Sequence, residues 1–579
     1  MSTPGVKNRT VWTAAIVGIA LALATAYGAY SLAGYSWSQV VDYQTPFAAM
    51  DVQTAADGRT PLAKSMPDVV SHRVIMIVVD GLPTATARTM SSVNALSARG
   101  ANVAITTSQP SLSFPGWTNI LSGATPQISG VTTNYSDARV PVETIFDSLA
   151  AEGRSVGVVG STDMESLYGV SEVTTNTVLE PWPTFDQYRT GAWVDAALAM
   201  TSGQRPDFLY LHIPDIDNIG HEFGTESSEW DDTVAAVDAD LARFIAGADD
   251  GNTTFVLLPD HGRVASGGHG GWEPACIDTF AVFAGPGVKP VGIDGGVAAD
   301  LDDIAPTVSV LAGVRTPAYA CGTAIEQVLT ADAEPALQVE GQRAIEFADA
   351  YATVVGAEYE RATRDGAGHE SADSHVRAVT NERLRVERSG RLPMALGLAL
   401  LAIAIAVGVT VALGTPLAAV LSAALTYAVV YNALFFGVHG YLWSLSTFNE
   451  DSMVDAFMNG RLVEALIAGL VACVVGALVF ARTTRGEGTA AADAAKSKAR
   501  WFGVGVASVW AMLAVLAIQI AWFLWWWGAE ITWVLPNFMW AFKYDLDLVQ
   551  ATALGAAALV GPVVTLAIGW WVQRARSRA

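Results

Sequence analysis

The sequence predicts an α/β domain, with a mostly parallel sheet between helices, joined to an α-helical transmembrane bundle. Three observations predict it. Five unbroken apolar runs of strand length alternate with helical patterns between residues 73 and 287. Six longer apolar runs, each close to the ~20 residues that a bilayer core requires, flank that region. Hydrophobic residues make up 51% of the 579, and the mean hydropathy of +0.34 is too high for a wholly soluble chain.

The elements follow in chain order. Residues 1–10 form a short N-terminus, and the first long run, 11–33, reads as an uncleaved anchor, because it is long and lacks a small-residue cleavage site. Residues 34–334 form the outer domain. Its strands are "RVIMIVVD" (73–80), "SVGVVGS" (155–161), "DFLYLHIPD" (207–215), "TTFVLLPD" (253–260) and "TFAVFAGPG" (279–287). Helical patterns occupy 140–153 and 228–246. Continuous rather than alternating apolar strands mean a sheet covered on both faces. Ligands of such sheets gather beyond the carboxyl ends of the strands. Residues 335–390 are charged and helical, a connector to the membrane domain at 391–579. That domain holds five spans, near 392–414, 416–440, 461–481, 502–527 and 549–573. "GEGTAAADAAKSKAR" (486–500) is a flexible cytoplasmic loop.

Charge orients the bundle. Lys7 and Arg9, then Arg482, Arg485, Lys496, Lys498 and Arg500, then Arg574, Arg576 and Arg578 all fall on one side if every run crosses. The positive-inside rule makes that side cytoplasmic and places 34–390 outside. Arg383, Arg385, Arg388 and Arg391 oppose this, and three clusters outweigh one. The expected location is the cell membrane, multi-pass, with the domain between the first two spans extracytoplasmic (the ER lumen in a eukaryote). Net charge is −23 with the basic residues near the membrane ends, so the outer domain is acidic and has no basic stripe, which excludes nucleic acid as a partner. Cys276 and Cys321 are the outer domain's cysteines, and a disulfide between them would suit an oxidising compartment.

Four pieces carry chemistry. Asp80 ends a buried strand before Gly81. In "QPSLSFPGWTNILSG" (109–123), Ser113 precedes a helix with proline in its first turn, where free N–H groups favour an anion such as phosphate. In "DIDNIGHEFG" (215–224), Asp217 and His221 are four apart, one helical turn, with Asp215 a competing ligand. "LPDHGRVASGGHGG" (258–271) sets Asp260, His261 and His269 among five glycines, where nothing bulky can pack. All six candidate ligands lie at strand ends or in adjacent loops. Mixed carboxylate and imidazole ligands suit Zn²⁺, with Mn²⁺ the alternative, and six are enough for two ions.

This order of motifs resembles the alkaline phosphatase superfamily, in its nucleotide pyrophosphatase/phosphodiesterase and GPI ethanolamine-phosphate transferase branches. "VVDG", "PSLSFPG", "DNIGH", "DHG" and "GGHGG" stand in the family's order across residues 70–290. The resemblance implies an alkaline-phosphatase-like sandwich and two Zn²⁺ ions. Asp217, His221 and His269 would hold one, and Asp80, Asp260 and His261 the other. Ser113 would be the nucleophile, and Gly116, Trp117 and Asn134 the substrate contacts. Ser113 stands where Thr is commoner. Gly116 stands where many phosphodiesterases have Asn, which removes a phosphate-oxygen donor and looks more like some transferases. "SFPGW" lacks the sulfatase pattern.

Six spans exceed what an anchor requires, and the outer loops at 441–460 and 528–548 carry Trp443, Phe448, Trp533, Phe538, Trp540 and Phe542, which fit an interfacial belt or a lipid entrance. The expected function is a membrane phosphotransferase moving a phospho-alcohol group, such as phosphoethanolamine, from a phospholipid to a glycolipid or glycan through phospho-Ser113. A phosphodiesterase using water is the alternative. A transporter with a dead enzyme-like domain is disfavoured by the intact ligand set and by spans nearly free of charge.

Overall fold

The computed structural model describes residues 4–49, 66, 70–136, 138–184, 188–356, 369–449, 452–484, 494–576 and 578. Most of the 486–500 loop and part of the 335–390 connector lie outside them. One sheet holds β1 (Arg73–Val79), β2 (Ala101–Thr106), β3 (Val156–Ser161), β4 (Asn176–Glu180), β5 (Phe208–Ile213), β6 (Thr253–Leu258), β7 (Asp278–Ala284) and β8 (Gly292–Asp300), in the order β4-β3-β5-β1-β6-β7-β2-β8. Its pairings are parallel except those of β7, which runs antiparallel to β6 and β2. The 279–287 run is thus the reversed strand. A strand buried on both faces reads alike in either direction, so periodicity could not reveal this. The strands missed in sequence carry weak signals: β2 alternates buried with exposed residues, β4 is half-buried throughout, and β8 is rich in Gly and Ala.

After α1 (Pro4–Val41) come α2 (Ser91–Ala98), α3 (Ser113–Ser122), α4 (Ile145–Ala151), α5 (Thr190–Gly203), α6 (Asp215–Phe223), α7 (Ser228–Ala248), α8 (Ile304–Ala312) and α9 (Glu334–Val355). The two-residue period of β1 divides the core. Val74, Met76 and Val78 pack with Trp117, Ile120, Phe146, Val308 and Tyr351 on one face. Ile75, Ile77 and Val79 pack with Trp193, Val237, Leu241 and Phe244 on the other. The result is a three-layer α/β/α domain. Helix α9 lies at the start of the expected connector, yet its Phe347, Tyr351 and Val355 belong to the core of the α/β domain.

The chain continues through α10 (His369–Ala412), α11 (Leu417–Asn432), α12 (Met453–Thr483), α13 (Ala494–Trp526) and α14 (Phe538–Arg576). Among the described residues, six helices are long and apolar enough to cross a membrane: Thr10–Ala48, Ser374–Ala412, Leu417–Val438, Met453–Thr483, Ser497–Trp526 and Phe538–Arg576. Leu400, Leu401, Val411 and Leu425 point outward from the bundle. Small residues let the helices approach: a Cβ on Gly555 would lie 2.5 Å from the Ala22 carbonyl oxygen, and one on Gly505 2.6 Å from Pro562. Five of the six helices start earlier than the apolar runs suggested, and charged residues also lie inside the runs, so the bundle is less free of charge than expected. Lys543 pairs with Asp547, and Arg461 pairs with Glu464, which also pairs with His439.

The disulfide that the sequence left open does not form. Cys276 and Cys321 are both free. The Cys276 thiol lies 3.3 Å from Ser446 Oγ, whereas the Cys321 thiol sits 3.1 Å from Asp302 and 3.3 Å from the Gly123 carbonyl.

Candidate metal centre and active site

Strands β1 and β6 are parallel neighbours with Val78 opposite Leu258, so the residues two places on, Asp80 and Asp260, emerge side by side at one sheet edge. Gly81 makes the turn with φ +62°, and its N–H donates to Asp260 Oδ1 at 3.0 Å. A Cβ there would lie 2.6 Å from Asp217 Oδ1 and 2.5 Å from Arg263 Nη2. From the far side, β5 leads into α6, which presents Asp217 and His221 as expected, with His221 Nε2 3.0 Å from Asp217 Oδ2. Ser113 opens α3, its hydroxyl 3.4 Å from Asp80 Oδ1 and 3.3 Å from His261 Nε2. A Cβ on Gly116 would stand 3.0 Å from Asp260 Cβ, so this helix turn rests directly on the carboxylate's residue.

The imidazoles are pre-aimed. His261 Nδ1–H donates to the Gly262 carbonyl and His269 Nδ1–H to the Ser111 carbonyl, both at 3.0 Å. In the neutral ring that puts the proton on Nδ1 and turns the Nε2 lone pair into the site. The two rings stack at 4.0 Å, and His269 Nε2 lies 3.1 Å from His221 Nε2. Among the described residues, two sets of ligand atoms each converge within 4.8 Å: Asp217, His221 and His269, and Asp80, Asp217 and His261. Asp217 therefore stands between the two sets rather than wholly in the first. Asp260 joins through Oδ2, 3.6 Å from His261 Nε2 and buried without a hydrogen-bond partner.

Three buried carboxylates crowd together here. Burial, reinforced by their neighbouring carboxylates, pushes Asp80 and Asp260 above the usual carboxylate range. Burial acts the same way on Asp217, but His221 and the buried Arg263 guanidinium hold it well below that range. Burial, helped by the facing His261, keeps His269 neutral. Three imidazoles converging on crowded carboxylates, of which one oxygen is orphaned, form a donor set that fits divalent cations.

Two participants escaped the sequence reading. His212 lies inside β5, and its Nε2–H donates to Asp80 Oδ2 at 3.0 Å; burial lowers its pKa to about 3, so the ring is neutral. Trp117, expected to touch substrate, is instead buried behind the site, its indole N–H on the same Oδ2 at 3.1 Å. Together they turn Oδ1 toward Ser113. The other participant is Arg263. A lone polar residue within the apolar run "DFLYLHIPD" was the signal for His212; nothing local marked Arg263, which follows "DHG". Asp215 is not in the cluster: its Oδ1 accepts the backbone N–H groups of Arg189 and Thr190 at 2.6 and 3.2 Å. Asn134 accepts the Phe114 N–H at 3.0 Å and also lines a cavity.

That cavity, about 500 Å³, has His221, His269 and Asn218 on one wall. Its other walls come from Trp37 and Val40 of α1, Leu445 and Phe448 of the α11–α12 loop, Val454 and Met458 of α12, and Phe538 and Phe542 of α14. Of the six loop aromatics, Phe448, Phe538 and Phe542 thus face the site.

The family model described as type I phosphodiesterase / nucleotide pyrophosphatase matches residues 74–267. The chain is 26% identical over 266 residues to GPI ethanolamine phosphate transferase 1 of Mus musculus, covering 40% of this chain and 28% of that one. It is 28% identical over 269 residues to the Neurospora crassa protein of the same description, covering 38% and 26%. The match thus spans little more than a quarter of these relatives' length. Among solved structures, wild-type alkaline phosphatase PafA aligns with TM-score 0.40 at 15% identity, covering 46% of this chain and 100% of that one. Murine ectonucleotide pyrophosphatase / phosphodiesterase 5 aligns with TM-score 0.36 at 11% identity, covering 42% and 96%.

Proposed function

We propose that the protein is a multi-pass membrane phosphotransferase, its catalytic domain outside the cytoplasm, that moves a phospho-alcohol group such as phosphoethanolamine from a phospholipid to a glycolipid or glycan. The observation that carries this is the shared cavity: imidazoles of the metal centre form one wall, and apolar side chains of three membrane helices form others. A substrate that fits both is amphipathic, with a phosphodiester at the polar end and acyl chains at the other. The transferases among the relatives add support, because their description names ethanolamine phosphate.

Asp217, His221 and His269 would hold one Zn²⁺ and Asp80, Asp260 and His261 the other, with Asp217 near enough to both sets to lie between them. When bound, two such ions neutralise phosphoryl oxygens and lower the pKa of a coordinated hydroxyl. Ser113 Oγ then bonds to phosphorus, and the P–O bond to the diacylglycerol breaks, the serine proton leaving with the departing alkoxide. In the second step the acceptor hydroxyl displaces Ser113 and returns its proton. The α3 N-terminus and Asn134 orient the group during both steps.

The test is incubation of the purified protein, in vesicles, with headgroup-labelled phosphatidylethanolamine. Label on Ser113, absent from Ser113→Ala and passed to an added glycan or glycolipid acceptor, is the expected result. Release of free phosphoethanolamine without an acceptor adduct would instead support the phosphodiesterase.

A further inference from the structure

The loop between α11 and α12 leaves the membrane domain and closes on the glycine-rich stretch that carries His269. Ser446 Oγ accepts the Gly271 N–H at 3.0 Å and donates to Glu273 Oε2 at 2.8 Å. Asn449 Nδ2 donates to the Ser266 carbonyl at 2.8 Å. These bonds grip the backbone on both sides of His269. The glycines make the approach possible, since a Cβ on Gly268 would lie 2.1 Å from the Ser446 carbonyl oxygen and one on Gly271 1.9 Å from Ser444 Oγ. Ser446 and Glu273 are buried, so water does not replace a lost partner there. The His269 ring is tied to the Ser111 carbonyl, and Ser111 Oγ is tied back to Gly270 and Gly271, so the position of Nε2 follows the same backbone.

We infer that the 441–449 loop is a positioning element for one half of the metal centre: Ser446 and Asn449, from the membrane domain, set where His269 stands against Asp217 and His221. The other half is held within the outer domain, Asp260 by the N–H groups of Gly81 and His261 and Asp80 by His212 and Trp117. Loosening the loop therefore weakens the ion held by His269 more than the other, which it reaches through the shared Asp217. The inference rests on the two-ion reading above.

The experiment uses the full chain in lipid nanodiscs, with zinc affinities from chelator competition and stoichiometry from elemental analysis. In Ser446→Val and Asn449→Ala, the zinc affinity of the His269 ion should fall more than the other, by up to the roughly tenfold to hundredfold lost when a ligand's own hydrogen-bond partner goes, because both side chains act on His269 through its backbone. Ser446→Thr, which keeps the hydroxyl, should restore it. Thr447→Ala should be silent, because among the described residues that hydroxyl bonds the Leu442 carbonyl within the loop, at 3.3 Å. If Ser446→Val does not fold, Asn449→Ala carries the comparison. Two unchanged affinities, or two that fall together with thermal stability, overturn the inference. A wild-type chain that binds no second zinc overturns the two-ion reading first, and so is distinguishable.

Discussion

Replacing His212 with phenylalanine tests a residue that reaches the site only through another side chain. Its ring is edge-on to Trp117 at 4.6 Å and 5.7 Å from Trp182, so phenylalanine fills the same space. What disappears is the 3.0 Å bond to Asp80 Oδ2, leaving the Trp117 indole N–H, at 3.1 Å, on that oxygen. A hydrogen bond to a charged group contributes about 1.5–3 kcal/mol. That is about a tenfold to hundredfold change in an equilibrium constant, the range seen when the outer partner of a metal ligand is removed. Zinc-competition titration of His212→Phe should show such a loss at the ion held by Asp80, with turnover recovering at excess zinc. Because His212 and Trp117 share one acceptor, His212→Phe and Trp117→Phe should combine non-additively, by at least about 0.5 kcal/mol. Wild-type affinity in His212→Phe, or strict additivity in the double variant, would refute the reasoning. The same variant has a pH signature. Burial lowers the His212 pKa from 6.5 to about 3, so between those values the unfolded chain binds a proton that the folded chain refuses. The stability is full above the unfolded pKa and is lost as pH falls through the window. Removing the imidazole should flatten the acid limb by up to about 1.4 kcal/mol per pH unit, read as apparent melting temperature.

Gly81→Ala forces a side chain into the left-handed region, at about 1–2 kcal/mol, and onto Asp217 and Arg263; it should lower both melting temperature and zinc content, and a variant normal in both contradicts the geometry. Arg263→Met leaves the buried Asp217 carboxylate without its guanidinium, a loss of about 3–5 kcal/mol that added zinc should partly offset in a thermal-shift assay. Chelation should lower the melting temperature more at alkaline than at mildly acidic pH. Asp80 and Asp260 have raised pKa values in the folded chain, so the metal-free penalty is absent below the unfolded pKa and grows as pH rises toward the folded one. Val454→Asn and Met458→Gln, on the apolar wall, should raise KM for long-chain phospholipid donors and leave turnover of a small soluble phosphodiester unchanged.

Much of the fold and of the site was legible because it is written in local patterns. Buried strands are continuous apolar runs, and β1, β3, β5, β6 and β7 each announced themselves so. Asp217 and His221 share a helix face because their spacing matches the helical turn. Ser113 was placed at a helix start by Pro115, and α3 begins at that residue. Six apolar runs foretold six helices of membrane length, because a bilayer sets their length.

Other features depend on residues far apart in the chain. The reversal of β7 is fixed by pairing with β2 and β6, not by its own composition. The Cys276 and Cys321 thiols lie against different partners, which sequence spacing cannot foresee. The Asp80 carboxylate is oriented by His212 and Trp117, 132 and 37 positions away, and Asp217 is held by Arg263, 46 positions away. Most of all, the glycines around His269 looked in sequence like freedom from packing. In the folded chain they are the opposite: they admit the Ser446 and Asn449 loop of the membrane domain to van der Waals distance, and only the assembled chain shows what they make room for.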